Sequence, residues 1–143
     1  MPSDFALKSM NAVHRLVRTV SGERFGWRVN HMTALELTTT GRKSGRQHSV
    51  MLTSPIDLGG HAVVVASRGG DDRHPAWFLN LRANPYVRVR FGHAAAQEMR
   101  ARVLGAAERQ ELWPRITADH ANYAAYQAKT TREIPLVVLE PPA

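Results

Sequence analysis

Residues 35–54 read LELTTTGRKSGRQHSVMLTS, and this stretch decides the fold class. Over Leu35–Thr40, apolar or small residues alternate with polar ones, which predicts a strand with one buried face. Gly41–Gly45 is typical of a tight basic turn, and residues 47–54 are typical of the return strand. Parallel strands need a crossover connection, and residues 34–67 leave no room for one. The stretch therefore predicts an antiparallel meander.

The rest of the chain contributes further short elements on either side of this hairpin. The patterns predict strands at Ala62–Ala66, 87–91, 99–103 and Ile134–Leu139, a short helix from Pro75 to Asn84, and helices from Ala106 onward, with a second one around Tyr123 and Tyr126. The fold class is thus α+β and mainly β, with about six mostly antiparallel strands closed into a small barrel and flanking helices.

The chain has 143 residues, no cysteine and ordinary globular composition, so we expect a single domain over residues 1–143 in the cytoplasm. An apolar stripe with helical spacing predicts an amphipathic helix over residues 4–20. Its polar face carries Lys8, Arg15 and Arg18, which either lie in solvent or make peripheral contact with an anionic membrane. These charges exclude a spanning helix or a signal sequence.

A net charge of +7, concentrated in the first two thirds of the chain, points to an anionic partner. Nucleic acid, anionic lipid and a phosphorylated cofactor all meet that description. Only 7% of the residues are aromatic, and no helix-turn-helix or RNA-recognition pattern is present, which argues against nucleic acid. Neither HExxH nor a fitting Ser–His–Asp set occurs, so a hydrolase has little support.

Gly41–Arg46 is the most chemically loaded stretch, because it places three cations, a hydroxyl and glycine amides in one turn. Such a turn can cradle phosphate oxygens. It has neither the Walker A spacing nor that of a nucleophile elbow. The other interpretation is a solvated hairpin tip that discourages edge-to-edge pairing.

Three further segments are weaker candidates. Ala66–Gly70 places a hydroxyl and a cation where a buried strand ends, and His74–Asn80 offers the flat face of Trp77, which core packing explains equally well. Tyr123 and Tyr126 share a helix face, either as the wall of a pocket or as a pair at the core edge. Asp71, Asp72 and His74 supply at most half a coordination shell, so we expect no metal site.

Four segments together are similar to those of one known family: LTTTGRKSG at 37–45, VVVASRGG at 63–70, HPAWFLNL at 74–81 and IPLVV at 134–138. Over about residues 35–141 the chain resembles the deazaflavin (coenzyme F420)-dependent nitroreductases of actinobacteria. In appearance it is closest to the mycobacterial reductases that attack aflatoxin-type and coumarin-type lactones.

The resemblance implies a split β-barrel that binds coenzyme F420, a polyanion with a phosphate and a polyglutamate tail. Arg42, Lys43 and Ser44 would hold the phosphate and the first carboxylates, and Arg46 would extend the positive track. By the same likeness the deazaflavin would be lined by His48, Ser49, Val50, Met51, Leu52, Thr53, Val65, Ala66, Ser67, Arg68, Ala76, Trp77, Phe78, Leu79 and Asn80. Tyr123 would close over cofactor and substrate, and Tyr126 would be a neighbouring pocket residue.

The implied activity is hydride transfer from reduced F420 to a small electron-poor acceptor, such as an α,β-unsaturated lactone, a quinone or a nitroaromatic. Tyr126 and Ser67 are the candidate catalytic residues, because a hydroxyl can polarise the acceptor oxygen. The alternative is a non-catalytic barrel that binds a lipid-like or other flavin ligand. We expect a monomer or a homodimer.

Two departures from the family pattern qualify this prediction. Gln47-His48 replaces a frequent Pro-Arg, so a partly charged imidazole stands where the family often has a cation, and cofactor affinity is predicted to depend on pH. His120 occupies the position of a third tyrosine in a related nitroreductase, which argues against activation of nitroimidazole prodrugs.

Overall fold

The computed structural model describes residues 28–29, 32–59 and 61–142. The predicted N-terminal helix over residues 4–20 lies outside the described residues. The elements, in chain order, are β1 (Arg28–Val29), β2 (Met32–Thr40), β3 (Gln47–Ser54), β4 (Ile56–Leu58), β5 (His61–Val65), a 3₁₀ turn (Arg68–Gly70), α1 (Ala76–Ala83), β6 (Tyr86–Phe91), β7 (Gln97–Val103), α2 (Ala106–Asp119), α3 (Ala121–Ala128) and β8 (Leu136–Glu140).

One antiparallel sheet contains all the described strands. β2 pairs with β3 on one side and with β6 on the other, and the sheet continues through β7, β8 and β5 to β4. Since β4 follows β3 directly after Pro55, the chain itself joins the two ends of this sheet. The Ser54 hydroxyl also accepts a hydrogen bond from the Val63 amide in β5 (2.9 Å), which draws β3 and β5 together and curls the sheet into a barrel.

The strands predicted from the sequence correspond to β2, β3, β5, β6, β7 and β8. The short β1 and β4 are additional, because two or three residues are too few to show an alternation. Two predicted boundaries were wrong. The last strand begins at Leu136 instead of Ile134, and Pro75 is the N-cap of α1 instead of its first helical residue, with extended backbone (ψ 150°).

Two hydrophobic layers share the strands β5 and β8. Val64 and Val137 face the barrel interior, where Phe78 and Leu81 of α1 also pack. The neighbouring positions Val63, Val65, Leu136 and Val138 face outward, against Leu112 and Ile116 of α2 and Tyr123 of α3. This explains the unbroken valine run, because each of residues 62–65 of β5 is buried on one face or the other. Each fully buried aliphatic side chain of this kind contributes about 1.5–3 kcal/mol.

Among the described helices, none is long and apolar enough to cross a lipid bilayer.

Candidate functional site

The basic turn between β2 and β3 is held closed by its own backbone. The Gly41 amide donates to the Arg46 carbonyl (2.7 Å), and the Gly45 amide donates to the Gly41 carbonyl (2.9 Å). Gly45 has φ +71°, in the left-handed region that favours glycine. The Ser44 hydroxyl accepts from the Arg46 amide (3.1 Å). The turn is therefore an ordered loop, with the side chains of Arg42, Lys43 and Arg46 exposed around it.

Gly41 allows the side chains of Ser44 and His48 to converge over the turn. A Cβ at this position would lie 2.6 Å from Ser44 Oγ and 2.9 Å from His48 Nε2, closer than real carbon contacts allow. Ser44 Oγ and His48 Nε2 are themselves 3.4 Å apart. A hydroxyl and an imidazole, both suitable partners of a phosphate oxygen, thus lie side by side.

Asn80 of α1 restrains Arg42 through hydrogen bonds. Its side-chain Oδ1 accepts from the Arg42 amide (3.2 Å) and from Arg42 Nη1 (2.9 Å), while its Nδ2 donates to Thr39 Oγ1 (3.2 Å). Asn80 and Thr39 are both buried. A buried amide with these three bonds restrains the guanidinium before any ligand arrives, which lowers the entropic cost of binding an anion.

A cavity of about 340 Å³ opens between this turn and α1. That volume lies in the range of small-molecule and cofactor pockets. Trp77 and Val50 give the cavity an apolar wall, while Arg42 and Lys43 make one end positive. Its lining consists of Thr39, Gly41, Arg42, Lys43, Ser44, His48, Ser49, Val50, Ala76, Trp77 and Asn80. Of the residues that the structure describes, none in this lining is a carboxylate, so the site suits an anion attached to a flat apolar group.

A second group of candidate residues lies in the loop that follows β5. Ser67 is buried, and the Arg68 guanidinium pairs with the Asp71 carboxylate within the same loop. Arg68 has φ +45°, a left-handed conformation that is uncommon for a residue with a side chain. This loop is therefore a constrained structure.

The two tyrosines lie in the outer layer, on α3. Tyr123 is buried and donates its hydroxyl to Met32 Sδ (3.6 Å), and its ring centroid is 6.1 Å from that of Tyr126. Burial raises the pKa of Tyr123, so the phenol stays protonated near neutral pH. Tyr126 is half-buried, with Lys129 Nζ 5.7 Å from its ring centroid. Tyr126 is thus the more accessible of the two hydroxyls.

The structure brings together only part of the predicted set. Arg42, Lys43, Ser44, His48, Ser49, Val50, Ala76, Trp77 and Asn80 line the cavity. The remaining residues lie elsewhere among the described part of the chain. Arg46 is exposed on the turn, Met51 packs on Ala34, and Thr53 lies on β3. Leu52, Ala66, Phe78 and Leu79 belong to the interior core, Val65, Tyr123 and Tyr126 belong to the outer layer, and Ser67 and Arg68 lie in the loop after β5.

One lining residue and one supporting residue were missed. Thr39 precedes the turn, and the alternation of β2 already placed it on the inner face of that strand. Arg132, discussed below, contacts the loop after β5 from more than 60 residues away. No local pattern could have predicted that contact.

Comparison with known proteins agrees with this geometry. Residues 9–141 match the sequence model of the family described as F420H2-dependent quinone reductase. The chain belongs to this family. The F420H2-dependent quinone reductase of Mycobacterium tuberculosis strain H37Rv is 36% identical over 134 residues, which cover 89% of this chain and 87% of that protein.

Two solved structures of similar sequence support the fold. An F420H2-dependent reductase (FDR-A) matches with a TM-score of 0.65 and 39% identity over 75% of this chain and 93% of that chain. A structure described as a domain-swapped dimer matches with a TM-score of 0.68 and 32% identity, over 98% of this chain and 100% of that chain. The predicted split β-barrel, the F420-dependent family and the oxidoreductase class are confirmed.

The cofactor of this F420H2-dependent quinone reductase family is reduced coenzyme F420. The residues of the cavity fit that group. Arg42 and Lys43 supply cations at one end, Ser44 and His48 supply hydrogen-bonding atoms beside them, and Trp77 supplies an aromatic wall.

Proposed function

We propose that this chain reduces quinone-like and other electron-poor carbonyl or nitro compounds, and that the cavity between the basic turn and α1 receives the cofactor. The observation that carries the proposal is the Asn80–Arg42 contact. It presents a restrained guanidinium at the mouth of a cavity with an aromatic wall. If the turn were only a solvated hairpin tip, the buried side-chain amide of Asn80 would not be expected to bond to its arginine.

Arg42, Lys43 and Ser44 would hold the phosphate, and Trp77 with Val50 would flank the ring. When bound, reduced F420 supplies the hydride that the acceptor takes up. The protein orients the reactants and keeps bulk water from the apolar wall. No side chain is needed as a covalent nucleophile.

Tyr126 and Ser67 would polarise the acceptor. Gly70 of the loop after β5 lies against the Tyr126 backbone, so the loop that carries Ser67 packs against α3. A hydroxyl at this contact can donate to the acceptor oxygen as negative charge develops on it. Solvent or the Tyr126 phenol would return the proton.

Titration of the purified protein with F420 and with FMN, followed by fluorescence, tests the cofactor assignment. Anaerobic turnover is then measured with reduced F420 and a simple naphthoquinone, coumarin or a nitrobenzene. We expect F420 to bind in preference to FMN, and the quinone to be reduced. Binding of FMN or a fatty acid without any turnover would favour the alternative of a non-catalytic barrel.

Asn80→Asp should weaken F420 binding by roughly tenfold, because it places a carboxylate beside the proposed phosphate site while keeping the oxygen that Arg42 bonds. Stability should fall as well, because the variant buries a carboxylate and loses the amide donor to Thr39 Oγ1, so the titration uses protein whose fold has been checked by circular dichroism. Asn84→Asp is the matched control, because Asn84 Oδ1 also accepts a backbone amide, that of Tyr86, outside the cavity lining. If Asn80→Asp binds F420 with unchanged affinity, the phosphate does not bind at this end of the cavity.

We also expect a cytoplasmic enzyme, and a monomer or homodimer as its state in solution. One solved relative is a domain-swapped dimer. Light scattering of the purified chain decides between the two states, and flotation with anionic vesicles tests peripheral membrane contact by residues 4–20.

A further inference from the structure

The Arg132 guanidinium is the hydrogen-bonding centre of the loop between β5 and α1. Its Nε donates to the Asp71 carbonyl (2.8 Å), and its Nη2 donates to the carbonyls of Ala66 (3.2 Å) and Ser67 (2.9 Å). Its Nη1 lies 3.1 Å from His74 Nδ1. One side chain therefore contacts the loop at its beginning, middle and end.

These contacts require an arginine. Four acceptors around one planar group match the fork of a guanidinium, whereas the three donors of a lysine ammonium radiate from a single point. Because Arg132 donates to Nδ1, the proton of the neutral His74 ring resides on Nε2. Burial, together with the charges of Arg132 and Arg82, lowers the pKa of His74 and keeps the ring neutral.

The loop that Arg132 holds has one unfavourable backbone position. Arg68, Gly69 and Gly70 have φ values of +45°, +64° and +87°. Glycine adopts such values readily, but at Arg68, which has a Cβ, the conformation is uncommon and persists only where the surrounding structure holds it. The bonds from Arg132 to the carbonyls on either side of these residues supply that constraint.

The segment that carries Arg132 is itself fixed to α3. Gln127 of that helix donates to the Arg132 carbonyl (2.7 Å) and accepts from the Ile134 amide (2.9 Å). On the other side of the loop, a Cβ on Gly70 would lie 2.7 Å from the Tyr126 carbonyl oxygen. Two sets of contacts therefore fix the position of the loop after β5 relative to α3, the helix that bears Tyr126.

We propose that Arg132 is a positioning residue, which sets the loop 66–74 and with it Ser67 and Arg68 against the helix that carries Tyr126. This inference rests on the proposed function, in which Ser67 of that loop and Tyr126 polarise the acceptor. Arg132 acts through the loop and need not touch either ligand.

Arg132→Lys tests the proposal, with Arg109→Lys as the matched control. Arg109 is also largely buried, and it shares Gln127 and Ile134 with the segment that carries Arg132, while its guanidinium stacks over Trp113. Its hydrogen bonds lie outside the loop 66–74, so Arg109→Lys disturbs the anchor of the segment but keeps the bonds from Arg132 to the loop.

We expect both variants to lose stability. Only Arg132→Lys should lower turnover of a naphthoquinone, by about ten- to a hundredfold, because it displaces Ser67, the proposed donor to the acceptor. F420 affinity should hardly change, because the cavity lining at the basic turn is untouched.

The ring nitrogen of His74 that carries the proton can be measured, and a general loss of stability does not change it. In ¹⁵N-resolved NMR of the ligand-free protein, wild type and Arg109→Lys should show His74 with its proton on Nε2. Arg132→Lys should show a changed tautomer ratio. Should Arg132→Lys not fold, Thr130→Val replaces it, since Thr130 Oγ1 joins the same segment to Asp72 and its loss should lower turnover about threefold.

The outcomes separate the two hypotheses. If wild type fails to bind F420, the proposed function fails, while the His74 spectrum still decides whether Arg132 orders the loop. If wild type binds F420 and reduces the quinone, and Arg132→Lys loses no more turnover than Arg109→Lys, the positioning role is wrong and the proposed function stands. A wild-type His74 protonated on Nδ1 would also overturn the proposal.

Discussion

Replacing both Arg42 and Lys43 by alanine is expected to weaken F420 binding by roughly 2–5 kcal/mol, which is about thirtyfold to several-thousandfold in affinity. The two cations lie at one end of the cavity, and a charge-assisted hydrogen bond is about twice as strong as a neutral one. Fluorescence titration at low and high salt measures the loss. The gap between wild type and variant should narrow as salt screens the charges.

Arg88→Ala combined with Arg100→Ala is the control for this experiment. It removes the same net charge from the exposed face of β6 and β7. If this control weakens F420 binding as much as the alanine substitutions of Arg42 and Lys43 do, the positive field of the whole protein attracts the ligand, and the turn is not a specific site.

The single variants should differ. Both side chains are exposed, but Arg42 is already restrained by Asn80, whereas Lys43 must lose more side-chain freedom on binding. Arg42→Ala is therefore expected to cost more than Lys43→Ala in the same titration. The reverse order would mean that the Asn80 contact does not prepare the site.

The hairpin β2–β3 could be predicted because all the information is local. Alternation defines each strand, the glycine-bounded turn joins them, and the predicted return strand has the bounds of β3. The pairing of β2 with β6 joins residues at least 50 positions apart, so the sequence predicted a barrel without its strand order. β4 was missed since three residues carry no periodicity.

The candidate site likewise combines features that are local in the sequence with contacts between distant residues. The basic turn could be found from its composition, but the bond from Asn80 to Arg42 spans 38 residues and depends on how α1 closes the barrel. The family resemblance predicted Tyr123 and Tyr126 as pocket residues, and the structure places them in the outer layer with their own packing partners. Their catalytic roles stay predictions, which substitution can test.

Tyr126→Phe is expected to lower turnover on the order of tenfold to a thousandfold, the usual effect of losing one donor to a developing negative charge. F420 affinity should hardly change, because the cavity lining at the basic turn is untouched. Single-turnover kinetics with a naphthoquinone, alongside the cofactor titration, separate the two effects. A proportional rise in KM with unchanged kcat would instead indicate that Tyr126 merely binds the acceptor.

Tyr123→Phe and Tyr86→Phe complete the comparison. Tyr123 donates to a thioether, a weak acceptor, inside the outer layer, so its hydroxyl should contribute about 1 kcal/mol or less to stability. Tyr86 is 60% exposed on β6, and its hydroxyl should affect neither measurement. If Tyr126→Phe and Tyr123→Phe both turn over like Tyr86→Phe, neither phenol polarises the acceptor. The donor must then be Ser67 or a backbone amide of the loop after β5, and Ser67→Ala decides between these two.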